Sequence, residues 1–263
     1  MHAFWALTRL SIQRQMTYRA ALFAGMATNL FFGVLRASVM VALYAGRPEM
    51  AGITLQEAIT FTGLSQATIA FLALFSWFEI VNSVYSGQIG AELLKPMGYF
   101  RLWMAQDLGR ATVNLLLRGL LIMAAYALVF DISTPERPAQ WLALAATIVL
   151  AWLVSFAWRF LVNLIAFWTP NAVGACRFFF AISWVMSGFL MPLRFYPDWF
   201  ARLCYLTPFP WTVNAITDVY LGLLDGPALL YSLALQAAWI VVLILAGQLI
   251  LMAGVRRLVV QGG

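Results

Sequence analysis

Leu102 to Phe130 reads LWMAQDLGRATVNLLLRGLLIMAAYALVF. The run exceeds the ~20 residues an apolar helix needs to cross the hydrocarbon layer. It nevertheless holds Asp107, Arg110, Asn114 and Arg118, which recur at three- and four-residue spacing and so share one helical face. A charge near the membrane middle costs at least ~2.5 kcal/mol even on lenient insertion scales. Such a face turns toward other helices or a water-filled path. The chain therefore reads as an integral membrane protein with a polar interior, and transport is the first activity to consider.

Working outward, five more apolar runs are long enough to span: Ala21–Ala45, Ala58–Tyr85, Gln140–Trp168, Val173–Met191 and Ala228–Val255. Over 263 residues the chain is 63% hydrophobic and only 10% charged, whereas soluble domains are roughly half apolar. The expected fold is an all-α polytopic membrane protein with six transmembrane helices, and residues 1–263 form a single membrane domain. The connections are short, so any nucleotide hydrolysis belongs to another polypeptide. Residues 1–19 predict a helix lying in the membrane interface, with Arg9, Arg14 and Arg19 at the headgroups and Phe4, Trp5, Leu7 and Ile12 toward the acyl chains. A frayed extension of the first span is the plainer reading. The first apolar run is too long for a cleaved signal core and reads as a signal anchor.

Orientation follows from the basic residues outside the spans. With both termini cytoplasmic, Arg9, Arg14, Arg19, Lys95, Arg101, Arg177, Arg256 and Arg257 lie inside, and Arg47, Arg137, Arg194 and Arg202 lie outside. The positive-inside rule favours that arrangement. The net charge of +6 then reflects contact with anionic lipid, because no basic run with interleaved aromatics marks a nucleic-acid surface.

Polar stripes recur on two other runs. Ser76, Glu79, Ser83 and Ser86 share a face of the second, and Trp152, Phe156, Arg159 and Asn163 share a face of the fourth. Counted from the cytoplasmic ends, Glu79, Arg110 and Arg159 lie at similar depth, so Glu79 is expected to pair with Arg110 or Arg159. Two roles compete for these residues. They lock helices together, or Ser76, Glu79, Ser83, Arg110, Asn114, Arg118 and Arg159 line a translocation path. Arg36 and Arg118 have no evident acidic partner, which leaves snorkelling, backbone carbonyls or substrate to meet them.

Two connections stand out. Residues 87–96 read either as an ordinary connecting loop or as a short cytoplasmic helix that Pro96 ends, with Ile89 and Leu93 on one face and Glu92 and Lys95 on another. Residues 189–212 gather prolines and aromatics that forbid one continuous helix. Short re-entrant helices at the exterior interface fit them. Enzyme readings find no support. His2 is the sole histidine, so no His-based triad or His-rich metal site forms in the membrane, and no phosphate-cradling G-x-x-x-x-G-K-[ST] sequence is present. Neither catalytic residues nor metal ligands are expected.

Taken together, three features resemble the permease subunits of ATP-binding cassette type-2 exporters. They are the basic interfacial segment before six spans, the segment Gly87 to Pro96 where those permeases carry a coupling helix, and the ending Ser187-Gly188-Phe189…Pro192…Tyr196-Pro197…Trp199, then Tyr205-Leu206-Thr207-Pro208. That ending is similar to the family's S-G-x-x-x-P … P-x-W … N-P pattern, with Thr207 where Asn is common. Ile89…Leu93-Leu94-Lys95-Pro96 also resembles a subgroup of small bacterial permeases encoded in pairs. The resemblance implies two permease halves, identical or paralogous, in a bacterial plasma membrane. Two separate ATPase subunits carry ATP and Mg, and this chain itself holds no cofactor. It implies that Gln88, Ile89, Glu92, Leu93, Leu94 and Lys95 couple to the ATPase, with Ile89, Leu93 and Leu94 as the apolar contact. The aromatic and Met-rich spans favour a small amphiphile, such as a drug or lipid-like molecule, as cargo. Polysaccharide or glycolipid export by the same fold, a secondary transporter and a channel remain alternatives.

The topology is testable by cysteine labelling of intact cells. Substitutions near Glu136 and Asp225 are expected to react, and those near Glu92 or Arg257 to stay protected. Labelling of position 92 from outside overturns the orientation.

Overall fold

A computed structural model describes residues 2–257; the expected placing of Met1, of the Arg19 side chain and of the last residues lies outside them. Among the described residues four helices are long and apolar enough to cross a membrane: Leu22–Leu43, Tyr99–Val129, Pro138–Phe167 and Gly226–Val255. They match the first, third, fourth and sixth expected spans. The all-α polytopic class holds, with one small departure. Glu49–Met50 (β1) and Ile53–Thr54 (β2) pair as an antiparallel hairpin, and Thr54 and Glu57 then close a reciprocal cap on the next helix.

Helix α1 (His2–Thr17) is followed by α2 (Arg19–Leu43), and α3 (Leu55–Leu72) follows the hairpin. The second expected span, Ala58–Tyr85, is not continuous. Helix α3 ends at Leu72, Ala73 turns left-handed at φ 50°, and α4 (Glu79–Tyr85) starts afresh. Helix α5 (Gln88–Leu93) leads into α6 (Tyr99–Val113), which continues through a π-helical turn, Asn114–Gly119, into α7 (Leu120–Val129). Helix α8 (Pro138–Asn163) is next. The fifth expected span, Val173–Met191, shortens to α9 (Ala172–Met186), with Gly188 at φ 78° redirecting the chain. Short helices α10 (Asp198–Tyr205) and α11 (Val213–Tyr220) precede α12 (Gly226–Val255). Helix α11 is almost wholly buried, so the irregular region expected over 189–212 ends in a core element.

Two ends of the molecule can be told apart. At one, the last residue of α4, just before α5, meets the loop after α8: the Tyr85 hydroxyl donates to the Pro170 carbonyl at 2.7 Å and accepts the Ala172 amide at 2.8 Å. At the other, Arg194 reaches from beside α10 to the Ala51 carbonyl in the hairpin, 3.2 Å away. An aromatic core joins α6 to α8, with Phe100 4.9 Å from Phe160 and 5.1 Å from Phe156. Edge-on ring pairs of this kind add ~0.5–1.5 kcal/mol beyond burial.

Helix α1 lies on α6. Thr8 Oγ1 donates to the Ala105 carbonyl (3.0 Å) and Ser11 Oγ to the Gln106 carbonyl (2.6 Å), while Trp5 and Leu10 stay exposed. Gly109 permits this closeness, since a Cβ there would lie 2.5 Å from the Thr8 carbonyl oxygen. Small residues at such a crossing let two backbones approach. Gly109→Val is therefore expected to lift α1 from α6 and expose their contact to protease in detergent. Unchanged protection of the Thr8 and Ser11 region would show that the contact does not hold α1.

Candidate functional site

Ending α3 at Leu72 frees carbonyls in apolar surroundings, where an unsatisfied one costs several kcal/mol. In a continuous helix the Ala70, Phe71 and Leu72 carbonyls would accept the amides of Leu74, Phe75 and Ser76. Side chains supply all three bonds instead. Arg110 Nη1 donates to the Ala70 carbonyl, Arg110 Nη2 to that of Phe71 (3.0 Å), and Ser155 Oγ to that of Leu72 (2.7 Å). Further along the break, Asn163 donates to the Trp77 carbonyl at 2.8 Å and accepts the Val81 amide at 3.4 Å.

Asp107 holds these arginines. Arg159 forms a two-pronged pair with it at 2.9 and 2.8 Å, Arg110 Nε donates at 2.7 Å, and Trp152 Nε1 donates at 2.9 Å. Both carboxylate oxygens accept two bonds each, and the Asp107 side chain is fully buried. The Arg159 guanidinium also stacks on Trp77, 5.1 Å from its centroid, a cation–π contact that strengthens without water.

Glu79 does not take the expected partner. Both Arg110 and Arg159 are claimed by Asp107, and among the described residues Glu79 forms no ion pair. The break is the physical reason, because it restarts the helix at Glu79 and leaves that residue exposed. Asp107 sits three residues before Arg110 on the same helix, the spacing at which opposite charges meet, and that signal could have identified the pair.

A cleft of about 470 Å³ opens beside the break, between α6, the α1–α2 elbow and α4. Ser76, Glu79, Arg110, Asn114 and Arg118 all line it, with Gln15, Tyr18 and Asn82. Arg159 lies behind, sealed on Asp107, and Ser83 is buried with its hydroxyl on Glu92 at 2.6 Å. Five of the seven path candidates thus converge and two serve the packing around them.

Arg118 is the most loosely held arginine of the group. It belongs to the π turn, takes only a long bond to Asn114 Oδ1 (3.3 Å), and has no partner for its buried Nε among the described residues. Its guanidinium rests on Gly25 of α2, where a Cβ would lie 2.5 Å from Nη2. Single π turns are frequent at functional sites. Arg36 differs: it donates to Ser65 Oγ and to the Phe189 and Leu190 carbonyls, so backbone takes its charge.

The expected coupling segment also rearranges. Ile89 is buried in the chain's own core and Leu93 packs against that core. Glu92 is engaged by Ser83. Leu94 is 87% exposed, beside exposed Gln88 and Lys95. The apolar face read from Ile89 and Leu93 thus turns inward, and Leu94 alone of the three projects outward.

A family model described as ABC-2 family transporter protein matches residues 26–262. The chain belongs to the ABC-2 transporter family. Neither the comparison with curated proteins nor that with solved structures gives a match. As an ABC-2 family membrane protein the chain is a translocation component, and the buried charge cluster lies in its membrane domain.

Removing one member of a buried ion pair strands the other at a cost of roughly 3–5 kcal/mol. Asp107→Asn leaves two arginines without their counter-charge, so detergent-solubilised protein should melt clearly lower. Glu79→Gln should melt like the parent. Equal melting of Asp107→Asn and the parent would refute the hub.

Proposed function

We propose that the chain is the permease subunit of an ATP-driven exporter, moving a small amphiphilic molecule with an anionic group out of the cytoplasm. The observation that carries this reading is Arg118 in the wall of an open cleft of about 470 Å³, with Ser76, Asn114 and Glu79 around it. The other in-membrane arginines are engaged by Asp107 or by carbonyls. Arg118 is left to meet a ligand, and an apolar tail has the exposed faces of the neighbouring spans. The α5 end faces the cytoplasm in this reading, as the basic-residue bias favours, with both termini on that side of a bacterial plasma membrane.

ABC-2 membership supports ABC ATPases as partners. In our reading two such subunits bind ATP and Mg beneath two permease halves, identical or paralogous. Helix α5 is their contact, with exposed Leu94 as the apolar anchor and Gln88 and Lys95 at the rim. The Ser83–Glu92 bond ties α5 to α4, so a push on α5 is delivered to the break and the cleft.

The test is purification in mild detergent with whatever ATPase accompanies the chain. Anionic amphiphiles should stimulate hydrolysis, and Arg118→Gln should raise the half-maximal concentration about tenfold, as expected for losing a charge-assisted bond. Leu94→Glu should release the ATPase while the permease stays folded, since truncating a buried anchor costs ~2 kcal/mol or more. Retention of the ATPase together with unchanged stimulation in both variants sinks the reading.

A further inference from the structure

At the hairpin end, far along the chain from the cleft residues, a separate cavity of about 290 Å³ lies between α10, α11 and the start of α12. Three aromatic rings line it: Tyr205, Trp211 and Tyr231. Trp211 stands 5.7 Å from Tyr205 and 6.4 Å from Tyr231 between ring centroids, steeply inclined to both. Rings at such angles present more than one π face to a shared space, the arrangement that holds alkylated ammonium groups.

The same cavity is lined by Asp218. Its Oδ2 accepts Asn214 Nδ2 at 2.7 Å, while Oδ1 receives no hydrogen bond among the described residues. Arg194 Nη2 is 3.9 Å from Oδ1, too far for a hydrogen bond, and Arg194 Nη1 is spent on the Ala51 carbonyl. Burial pushes the Asp218 carboxyl up to about 6, with Arg194 and Asn214 opposing the shift. The Asp218 side chain is 15% exposed, and a carboxylate oxygen with no hydrogen bond and only a distant arginine, set beside three rings, is well matched to an organic cation.

We propose that this cavity binds an alkylammonium group, with Asp218 as counter-ion and Tyr205, Trp211 and Tyr231 as its aromatic walls. The site goes beyond the exporter reading and does not rest on it. Two sources carry the same chemistry: the headgroup of an ethanolamine lipid in the adjoining leaflet, and a free amine in solution.

The experiment measures saturable binding of labelled tetramethylammonium and of ethanolamine to the full chain, with tert-butanol as the uncharged isostere. Binding of the ammonium probes and not of the alcohol is expected. Asp218→Asn and Tyr231→Ala should each weaken it about tenfold. Tyr231 is 64% exposed, so its truncation tests the cage even where Asp218→Asn fails to fold. Repeating the assay in nanodiscs separates the sources. Competition by ethanolamine lipid, absent with purely anionic lipid, identifies the headgroup; equal probe binding in both identifies a free amine. No saturable binding, or full binding in folded Tyr231→Ala, overturns the proposal.

Discussion

Every backbone carbonyl freed inside an apolar membrane domain must find a donor, and among the described residues two expected spans stop short and free them. After Leu72 and after Met186 an expected span stops short, and each time an arginine from another helix answers. Arg110 reaches the carbonyls of Ala70 and Phe71, and Arg36 those of Phe189 and Leu190. A planar guanidinium suits the task, since its fixed fork of donors reaches two successive carbonyls at once. A lysine would offer a more strongly hydrated point charge and no such geometry. The charges that looked out of place in the spans are, in large part, what makes broken helices tolerable there.

The solution creates its own electrostatic requirement. Arg110 and Arg159 share one carboxylate, so the buried cluster of three groups carries a net positive charge. Asp107 meets the demand by accepting four hydrogen bonds, one of them from the Trp152 indole. With its lone-pair sites filled, the carboxylate has no spare capacity for Arg118, one turn beyond Asn114. The break thus dictates Arg110, Arg110 dictates Asp107, and Asp107 binds α6 to α8 through Arg159.

What periodicity encodes was legible: the long apolar runs, the faces of α6 and α8, and Arg110, Asn114 and Arg118 as neighbours. The break was not. Residues 73 to 78 read Ala-Leu-Phe-Ser-Trp-Phe, with neither glycine nor proline to announce a stop. A left-handed alanine costs roughly 1–2 kcal/mol and survives because α6 and α8 hold the carbonyls before it and the segment after it. Such a feature is written in residues up to about 90 positions away, beyond the reach of local pattern. Ile89 illustrates a second limit. Its four-residue spacing from Leu93 marks an apolar face, but whether that face meets a partner or the chain's own core depends on tertiary packing. The π turn over Asn114–Gly119 likewise carries no local signature, although it sets where Arg118 points.

Arg118 then constrains the cleft itself. An arginine with a single long bond to a neutral amide does not remain charged in dry surroundings at tolerable cost. The positive Asp107 cluster lies within two turns on the same helix. Glu79 lines the same cleft but forms no ion pair with it. Water or a ligand must therefore supply what the chain does not, and the opening of about 470 Å³ is where either enters. Gly25 leaves room for the guanidinium, since a Cβ there would lie 2.5 Å from Nη2 and push the arginine aside. The wet cleft is thus a consequence of the same arithmetic of donors and acceptors that closes the rest of the core: three arginines are satisfied by carbonyls or a carboxylate, and the fourth is satisfied only from outside.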